Sequence, residues 1–245
     1  MKLLAAGGAG DARPVLNPRP LPWLTADRWL IPPRLAPFRR LRARPFDLLD
    51  VGCGNHSPAF AKHWYPRCRY TGVDRDRYNN DAGDFALMDR FVQLDLEASD
   101  LHELPDGEFD VVVCAHVLEH LRDGLAVLRR LCRKLRAGGG MYLEFPSVRS
   151  LALPSARGSL HFCDDPTHVR VYAVAEVCNL LLAESLVIRR AGRRRSWARV
   201  ALTPALAAGS FLRHGWVNGG CLWDAAGFAD SVWAVKPEET GRLGL

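Results

Sequence analysis

The chain has 245 residues, 48% of them hydrophobic, and a net charge of +6 that comes largely from arginine. That size and apolar content suit one α/β domain with a substantial core, and no run approaches the ~20 apolar residues of a membrane span. The seven cysteines form no C-x-x-C pair and are odd in number. This argues against a zinc ribbon or disulfide framework and for buried thiols. The opening "MKLLAAGGAGDARP" is too short and glycine-rich for a signal peptide, so a cytoplasmic location is expected.

Residues 1–45 are rich in proline and arginine, with Trp23, Leu24, Trp29, Leu30 and Ile31 as apolar anchors. They predict an irregular arm or short helices packed on a main domain covering 46–245. "FDLLDVGCG" is a continuous apolar run closed by a glycine turn, as in a buried parallel strand. In "SPAFAKHWYP", Ser57 reads as an N-cap, Pro58 as a first helical residue and Pro66 as a stop. "RYTGVD" is a second strand ending on Asp74. A polar loop follows, then a third strand in "RFVQLDL" and a fourth, the most apolar, in "FDVVVCAHV".

"GLAVLRRLCRKLRAGGG" carries Leu125, Leu128, Leu131, Cys132 and Leu135 at helical spacing, with the triple glycine 138–140 as its stop. "MYLEF" is strand five, closed by Pro146. An irregular stretch runs to His168, followed by the helix "YAVAEVCNLLLAE" and strand six, "LVIRR". Residues 197–223 form an insertion with a helical run and an "NGG" turn, and "SVWAVK" is the last strand. Strands alternating with helices imply a doubly wound, mostly parallel sheet, whose ligands sit outside the carboxyl ends of the strands.

That rule selects the residues able to do chemistry. After strand one, Gly52 and Gly54 allow a tight turn and close backbone approach to a ligand; packing alone is the other explanation. After strand two, Asp74 is either the acceptor of a ribose diol's hydrogen bonds or a helix cap. After strand three, Asp95 stands where a carboxylate could accept from an exocyclic amine, with the Leu96 backbone beside it. Together these describe a pocket for an adenosine-bearing ligand, with no lysine or arginine aimed at a pyrophosphate.

With "LLDVGCG", "YTGVD", "LDL", "FDVVVCAHVLEHL" and "LRAGGGMYLEFPS" in this order, the chain resembles the class I S-adenosylmethionine-dependent methyltransferases. The likeness runs from about residue 46 to 188, with strand seven at 231–236. It implies a seven-stranded Rossmann-like sheet. It also implies that Asp50, Gly52, Cys53 and Gly54 line the methionine end of the cofactor, that Asp74 holds the ribose, that Asp95 and Leu96 meet the adenine, and that His116 stands at the cofactor's edge. His56 replaces the third glycine common in the family and either narrows the mouth or contacts a ligand.

"HVLEH" taken alone is the H-x-x-E-H zinc motif. The strand running to Ala115 leaves little helix before His116, so the two histidines do not share one helix, and a zinc hydrolase is the least favoured function. In "SLHFCDDPTHVR", Asp165 and Arg170 are expected in a substrate lid, or as a turn cap and its ion-pair partner. His161, Cys163 and His168 could meet a metal, but no metal site is assigned. A base at neutral pH would be a histidine; the candidates are His168, then His116 and His120.

Trp197, Phe211, Trp216 and Trp223 of the insertion form either an apolar acceptor wall or a cover for the sheet edge. The expected activity is methyl transfer from S-adenosylmethionine to a small-molecule or glycan-type acceptor. The alternatives are a non-catalytic module binding the same cofactor and an NAD-dependent oxidoreductase; the latter gains nothing from Asp95 or "VLEHL" and has Ser57 where its third glycine belongs. Arginines cluster before residue 46 and again at 189–195. They read as a solvated basic surface that hints at an anionic acceptor. No nucleic-acid motif accompanies them.

Overall fold

The structure, a computed structural model, describes residues 30–238. The anchors Trp23, Leu24 and Trp29 lie outside that range. Seven strands form one sheet: β1 (Phe46–Val51), β2 (Cys68–Asp74), β3 (Arg90–Gln93), β4 (Phe109–Ala115), β5 (Leu135–Pro146), β6 (Val187–Arg193) and β7 (Ala229–Val235). Their order is β3-β2-β1-β4-β5-β7-β6. All neighbours are parallel except β7, which runs antiparallel to both β5 and β6. The doubly wound, mostly parallel sheet expected from the alternation is therefore present.

Strands buried on both faces send alternate residues to opposite sides. Leu49, Val51, Val112 and Cys114 enter a core with Leu128, Leu131, Val177 and Leu181. These last come from α3 (Gly124–Lys134) and α4 (Val174–Ala183). Leu48, Val111 and Val113 face the other way, into a core with Ala61 and Tyr65. Ala61 belongs to α1 (Ser57–Trp64). The short 3-10 helix Ala36–Leu41 adds Phe38 and Leu41 to that second core, so the described part of the arm packs on the sheet.

Three local expectations need correction. Ser57 does not cap α1: the cap position is His56, in the left-handed region at φ 57°, and the Ser57 hydroxyl is spent on Asp50. The polar loop after β2 holds a helix, α2 (Ala82–Leu87), closed by a capping box between Asp81 and Asp84. The triple glycine does not stop α3, because the helix already ends at Lys134 and Leu135 opens β5. The glycines lie in a wide bulge instead, across which the β4–β5 register jumps from Phe109↔Leu135 to Val111↔Gly140.

Gly140 is required by packing: a Cβ there would sit 1.8 Å from Cη2 of Trp233 on β7. Gly140→Ala is therefore expected to displace the indole and cost about 2–3 kcal/mol, as overpacking does. A urea melt unchanged from wild type would contradict that packing.

Candidate active site

The carboxyl ends of β1, β2 and β4 meet around one bend. Gly52 has φ +72°, and a Cβ on it would lie 2.3 Å from Cγ2 of Val117. Its N–H and that of Cys53 both donate to Val73 O, at 2.8 and 3.3 Å. A Cβ on Gly54 would lie 2.9 Å from Tyr78 O and 3.6 Å from Asp74 Oδ2. The backbone at 52 and 54 thus lies directly against Val117 and the segment after β2, and only glycines fit at those two positions.

Beneath the bend, Asp50 is buried and its Oδ2 accepts from the Ser57 hydroxyl at 2.5 Å and the Tyr70 hydroxyl at 2.6 Å. Burial raises its pKa. Asp50 braces the turn through these bonds. The Cys53 side chain is fully buried, with Sγ against Gly72, so only its backbone is available to a ligand. His56 is fixed by a 2.6 Å contact from Nδ1 to Asp84 Oδ2, and its N–H donates to Asn80 Oδ1 at 3.0 Å. That bracing holds a histidine in the conformation a glycine would adopt freely.

Asp74 ends β2 half-buried, and burial raises its pKa. Its donors are the backbone N–H groups of Asp76, Arg75 and Gly54. No cation pairs with it among the described residues. Asp74 is thus a half-buried acceptor at the carboxyl rim of the sheet, held by backbone donors alone. Leu94 N–H donates to Asp74 O at 3.0 Å, which brings 94–96 alongside. Asp95 itself is exposed, and its Oδ1 accepts from the N–H groups of Glu97 at 2.9 Å and Ala98 at 3.4 Å. Leu96 is buried, with its carbonyl taking a 2.9 Å bond from Arg130.

His116 follows β4 with φ 56°. Its Nδ1 meets Glu119 Oε1 and its Nε2 meets Glu144 Oε1, both at 3.0 Å. Burial opposes its charge, but the two carboxyl partners outweigh burial and hold its pKa at about 9. Burial likewise opposes charge on Glu144; Arg194, His116 and Tyr142 overcome it and hold that carboxyl at about 2. Arg194 NH2 lies 3.0 Å from Asp224 Oδ2, and its Nε lies 3.4 Å from Glu144 Oε1. Trp223 packs on the His116 ring, with centroids 4.8 Å apart. His116 is therefore an imidazolium clamped between acids and has no lone pair with which to take a proton.

Because the His116 pKa is raised on folding, its contribution is full below the unfolded value of 6.5 and is lost as pH rises through about 9. Melting temperature in metal-free buffers is expected to fall between pH 6.5 and 9, and His116→Gln should flatten that slope. A wild-type slope retained in the variant would place the titration elsewhere.

His120, on the 3-10 turn Leu118–His120, faces the 165–168 loop rather than His116. Its ring lies 4.9 Å from that of His168. The His168 side chain is buried, with Nδ1 donating to Phe162 O at 2.6 Å. Asp165 caps its turn, accepting from the Thr167 N–H at 2.9 Å and the Thr167 hydroxyl at 2.5 Å. Arg170 does not pair with it: that guanidinium bonds Glu176 and stacks on Tyr172. His161 and Cys163 are engaged with each other and with Leu151 O, and they do not converge with His168.

The insertion carries the helix α5 (Trp197–His214), none of whose residues is buried. Trp197 is 72% exposed and Phe211 58% exposed, so neither lines this site. Trp216 packs near Arg157 and His214. Trp223 alone reaches the polar cluster, from the start of α6 (Trp223–Ala226). A shallow depression of about 430 Å³ lies elsewhere, lined by Pro37, Phe38, Arg40, Arg189 and Trp233, and shares no residue with the strand-end site.

Sequence reasoning missed Glu144, Arg194 and Asp224. The signal available was the lone glutamate in "MYLEF": a carboxylate inside a buried strand must find a partner. Arg194 sits inside an arginine run whose composition reads as solvated surface.

A family described as "Methyltransferase domain" matches residues 28–186. The chain belongs to the S-adenosylmethionine-dependent methyltransferases. It is 35% identical to the human thiol S-methyltransferase over 105 residues, 39% of this chain and 40% of that one. It is 36% identical over 135 residues to the 27-O-demethylrifamycin SV methyltransferase of Amycolatopsis mediterranei, covering 51% of this chain and 48% of that one. The chain thus spans half or less of the length of these two relatives. A S-adenosylmethionine-dependent methyltransferase structure from Archaeoglobus fulgidus superposes with TM-score 0.52 at 18% identity, covering 85% of this chain and 94% of that one. Within this methyltransferase fold, the glycine bend and Asp74 occupy the strand ends at which the resemblance expects the cofactor. No helix among the described residues is long and apolar enough to cross a membrane.

Proposed function

We propose that the chain transfers a methyl group from S-adenosylmethionine to a small-molecule acceptor at the carboxyl rim of β1, β2 and β4. The single observation that carries this reading is Asp74, half-buried beside the Gly54 backbone with no cation paired to it among the described residues. Asp74 would hold the ribose diol, the backbone at 52–54 the methionine end, and Asp95 with Leu96 the adenine edge. The bound cofactor supplies an electrophilic methyl on a sulfonium.

The chain's own residues position the acceptor and take up its proton. An in-line approach of about 3 Å lowers the barrier by orientation alone. The clamped His116, with Glu144, Arg194 and Trp223, forms a rigid wall beside the glycine bend. Deprotonation of the acceptor falls to His168 or His120 rather than His116. The His168 Nδ1–H is committed to Phe162 O, which leaves Nε2 to accept. The seven cysteines, all free thiols, suit a reducing compartment, in keeping with a cytoplasmic site of action.

Calorimetric titration with S-adenosylmethionine, its demethylated product and NAD is the direct test. Saturable binding of the first two and none of NAD is expected. Radiolabelled methyl donor incubated with acceptor pools should then label a small product. NAD binding without binding of either sulfur compound would sink the reading.

A further inference from the structure

The turn after β4 and the 165–168 loop bring together three groups that methyl transfer does not require as a set. One donor atom each from Glu119, His120 and His168 lies within 4.8 Å of the others. The two segments are tied by their backbones: Val169 N–H and Arg170 N–H both donate to Glu119 O, at 2.8 and 3.2 Å.

Hydrogen bonds around the cluster decide which ring atoms face inward. His168 Nδ1 lies 2.6 Å from the Phe162 carbonyl, which accepts only, so that nitrogen carries the hydrogen. The Thr167 hydroxyl gives its hydrogen to Asp165 Oδ1 at 2.5 Å. Its lone pair therefore faces His120 Nδ1, 2.9 Å away, and that nitrogen must be the donor. In both rings the neutral imidazole then presents Nε2 as a lone pair. A carbonyl or hydroxyl fixing the remote nitrogen is the usual outer support of a metal-bound histidine.

The third group is a carboxyl with capacity to spare. Glu119 is 1% exposed, and its Oε2 is buried with no hydrogen-bond partner among the described residues. His168 Nε2 lies 4.0 Å from Glu119 Oε1 and 3.9 Å from Asp165 Oδ2, beyond hydrogen-bond reach. Inward lone pairs facing carboxyl oxygens across such gaps repel unless positive charge lies between them. A tetrahedral cation with ligands at about 2.1 Å holds its donor atoms roughly 3.4 Å apart, so from separations within 4.8 Å a closure of at most about 1.4 Å suffices.

We propose that Glu119, His120 and His168 bind one first-row divalent cation of the zinc class, with Asp165 as a further oxygen donor. Two imidazoles and a carboxylate suit such ions rather than magnesium or calcium. The ion would pin the 165–168 loop to the turn after β4. It is not the H-x-x-E-H arrangement, because both ring nitrogens of His116 are taken, one by Glu119 Oε1 and the other by Glu144 Oε1. Metal binding is separable from cofactor binding, since none of the three groups is assigned to the cofactor; a bound ion would occupy the Nε2 atoms otherwise offered to the acceptor's proton.

The test uses the full chain, stripped with chelator and titrated with Zn2+ alone. One equivalent is expected, with a dissociation constant in the micromolar range or below. His168→Ala and His120→Gln should each weaken it by about 100-fold or more. Asp100→Asn, in the exposed Asp100–His102–Glu103 cluster, should leave it unchanged. Co2+ in place of Zn2+ should give visible d–d absorption without the intense near-ultraviolet band of a thiolate ligand. If His168→Ala does not fold, His120→Gln decides, together with a rise in wild-type melting temperature on adding Zn2+. No stoichiometric binding, binding indifferent to both histidines, or a cobalt–thiolate band would overturn the site. Calorimetry with the demethylated cofactor product on the same samples keeps the two readings separate: its failure touches the cofactor pocket and not the metal.

Discussion

Arg194→Met is expected to cost about 3–5 kcal/mol, the penalty for stranding a buried charge whose partner is removed. Arg194 is 8% exposed and lies between Glu144 and Asp224, with Trp223 beneath its guanidinium. Methionine keeps most of the stem's volume but leaves the buried Asp224 carboxyl without the guanidinium and Glu144 with His116 as its remaining cation. Asp224 loses an ion pair while its Oδ1 still accepts the Ser196 N–H at 2.6 Å. Glu144 loses the strongest of the attractions that hold its pKa down near 2. Urea unfolding should show the loss, and the double change Arg194→Met with Asp224→Asn should recover part of it, because neighbours in one network are not additive. A single-variant loss below ~1 kcal/mol, the scale of an exposed pair, would mean that the cluster is solvated.

The second large effect is on binding. Asp74→Ala is expected to weaken S-adenosylmethionine by about 100-fold, or ~3 kcal/mol, the value of two hydrogen bonds to a charged acceptor. The fold should be indifferent to the change, since Asp74 makes no ion pair among the described residues and draws only on backbone donors. Calorimetry and a melt on the same sample separate the two quantities. Asp74→Asn should fall between, because the amide keeps one acceptor. Affinity within threefold of wild type would remove Asp74 from the ribose and, with it, the main support for the cofactor pocket.

Much of the architecture was legible because a parallel sheet writes itself as apolar runs with glycine or acid at their ends. β1, β2 and β4 were readable for that reason, and with them the Gly52–Gly54 bend and Asp74. The helix α2 was hidden by its length, Ala82–Leu87, and by a sequence whose polar residues serve the cap. The glycines at 138–140 were misread because a helix stop and a strand bulge use the same residue for the same freedom at positive φ. The Trp233 side chain that demands Gly140 is remote in sequence. His116 was legible as a residue at the rim but not as a cation, since its charge depends on Glu144, which comes from another strand. Arg194 illustrates the same limit: nothing local distinguishes it from Arg193 or Arg195, yet of the three it is the one that meets the Glu144 and Asp224 carboxyls.

The placement of β7 between β5 and β6 has a bearing on biosynthesis. Until residues 229–235 emerge from the ribosome, the inner edge of β5 has no neighbour and β6 has nothing to join. The five strands β3-β2-β1-β4-β5 can zip as they are made; β6 waits for β7, which follows it in the chain and is inserted in reverse. A nascent chain paused before Ala229 would display the open edge of β5 together with a wholly unpaired β6, a state prone to wrong partners. Mild slowing of translation between the codons of β6 and β7 should therefore harm yield more than the same slowing between those of β1 and β2.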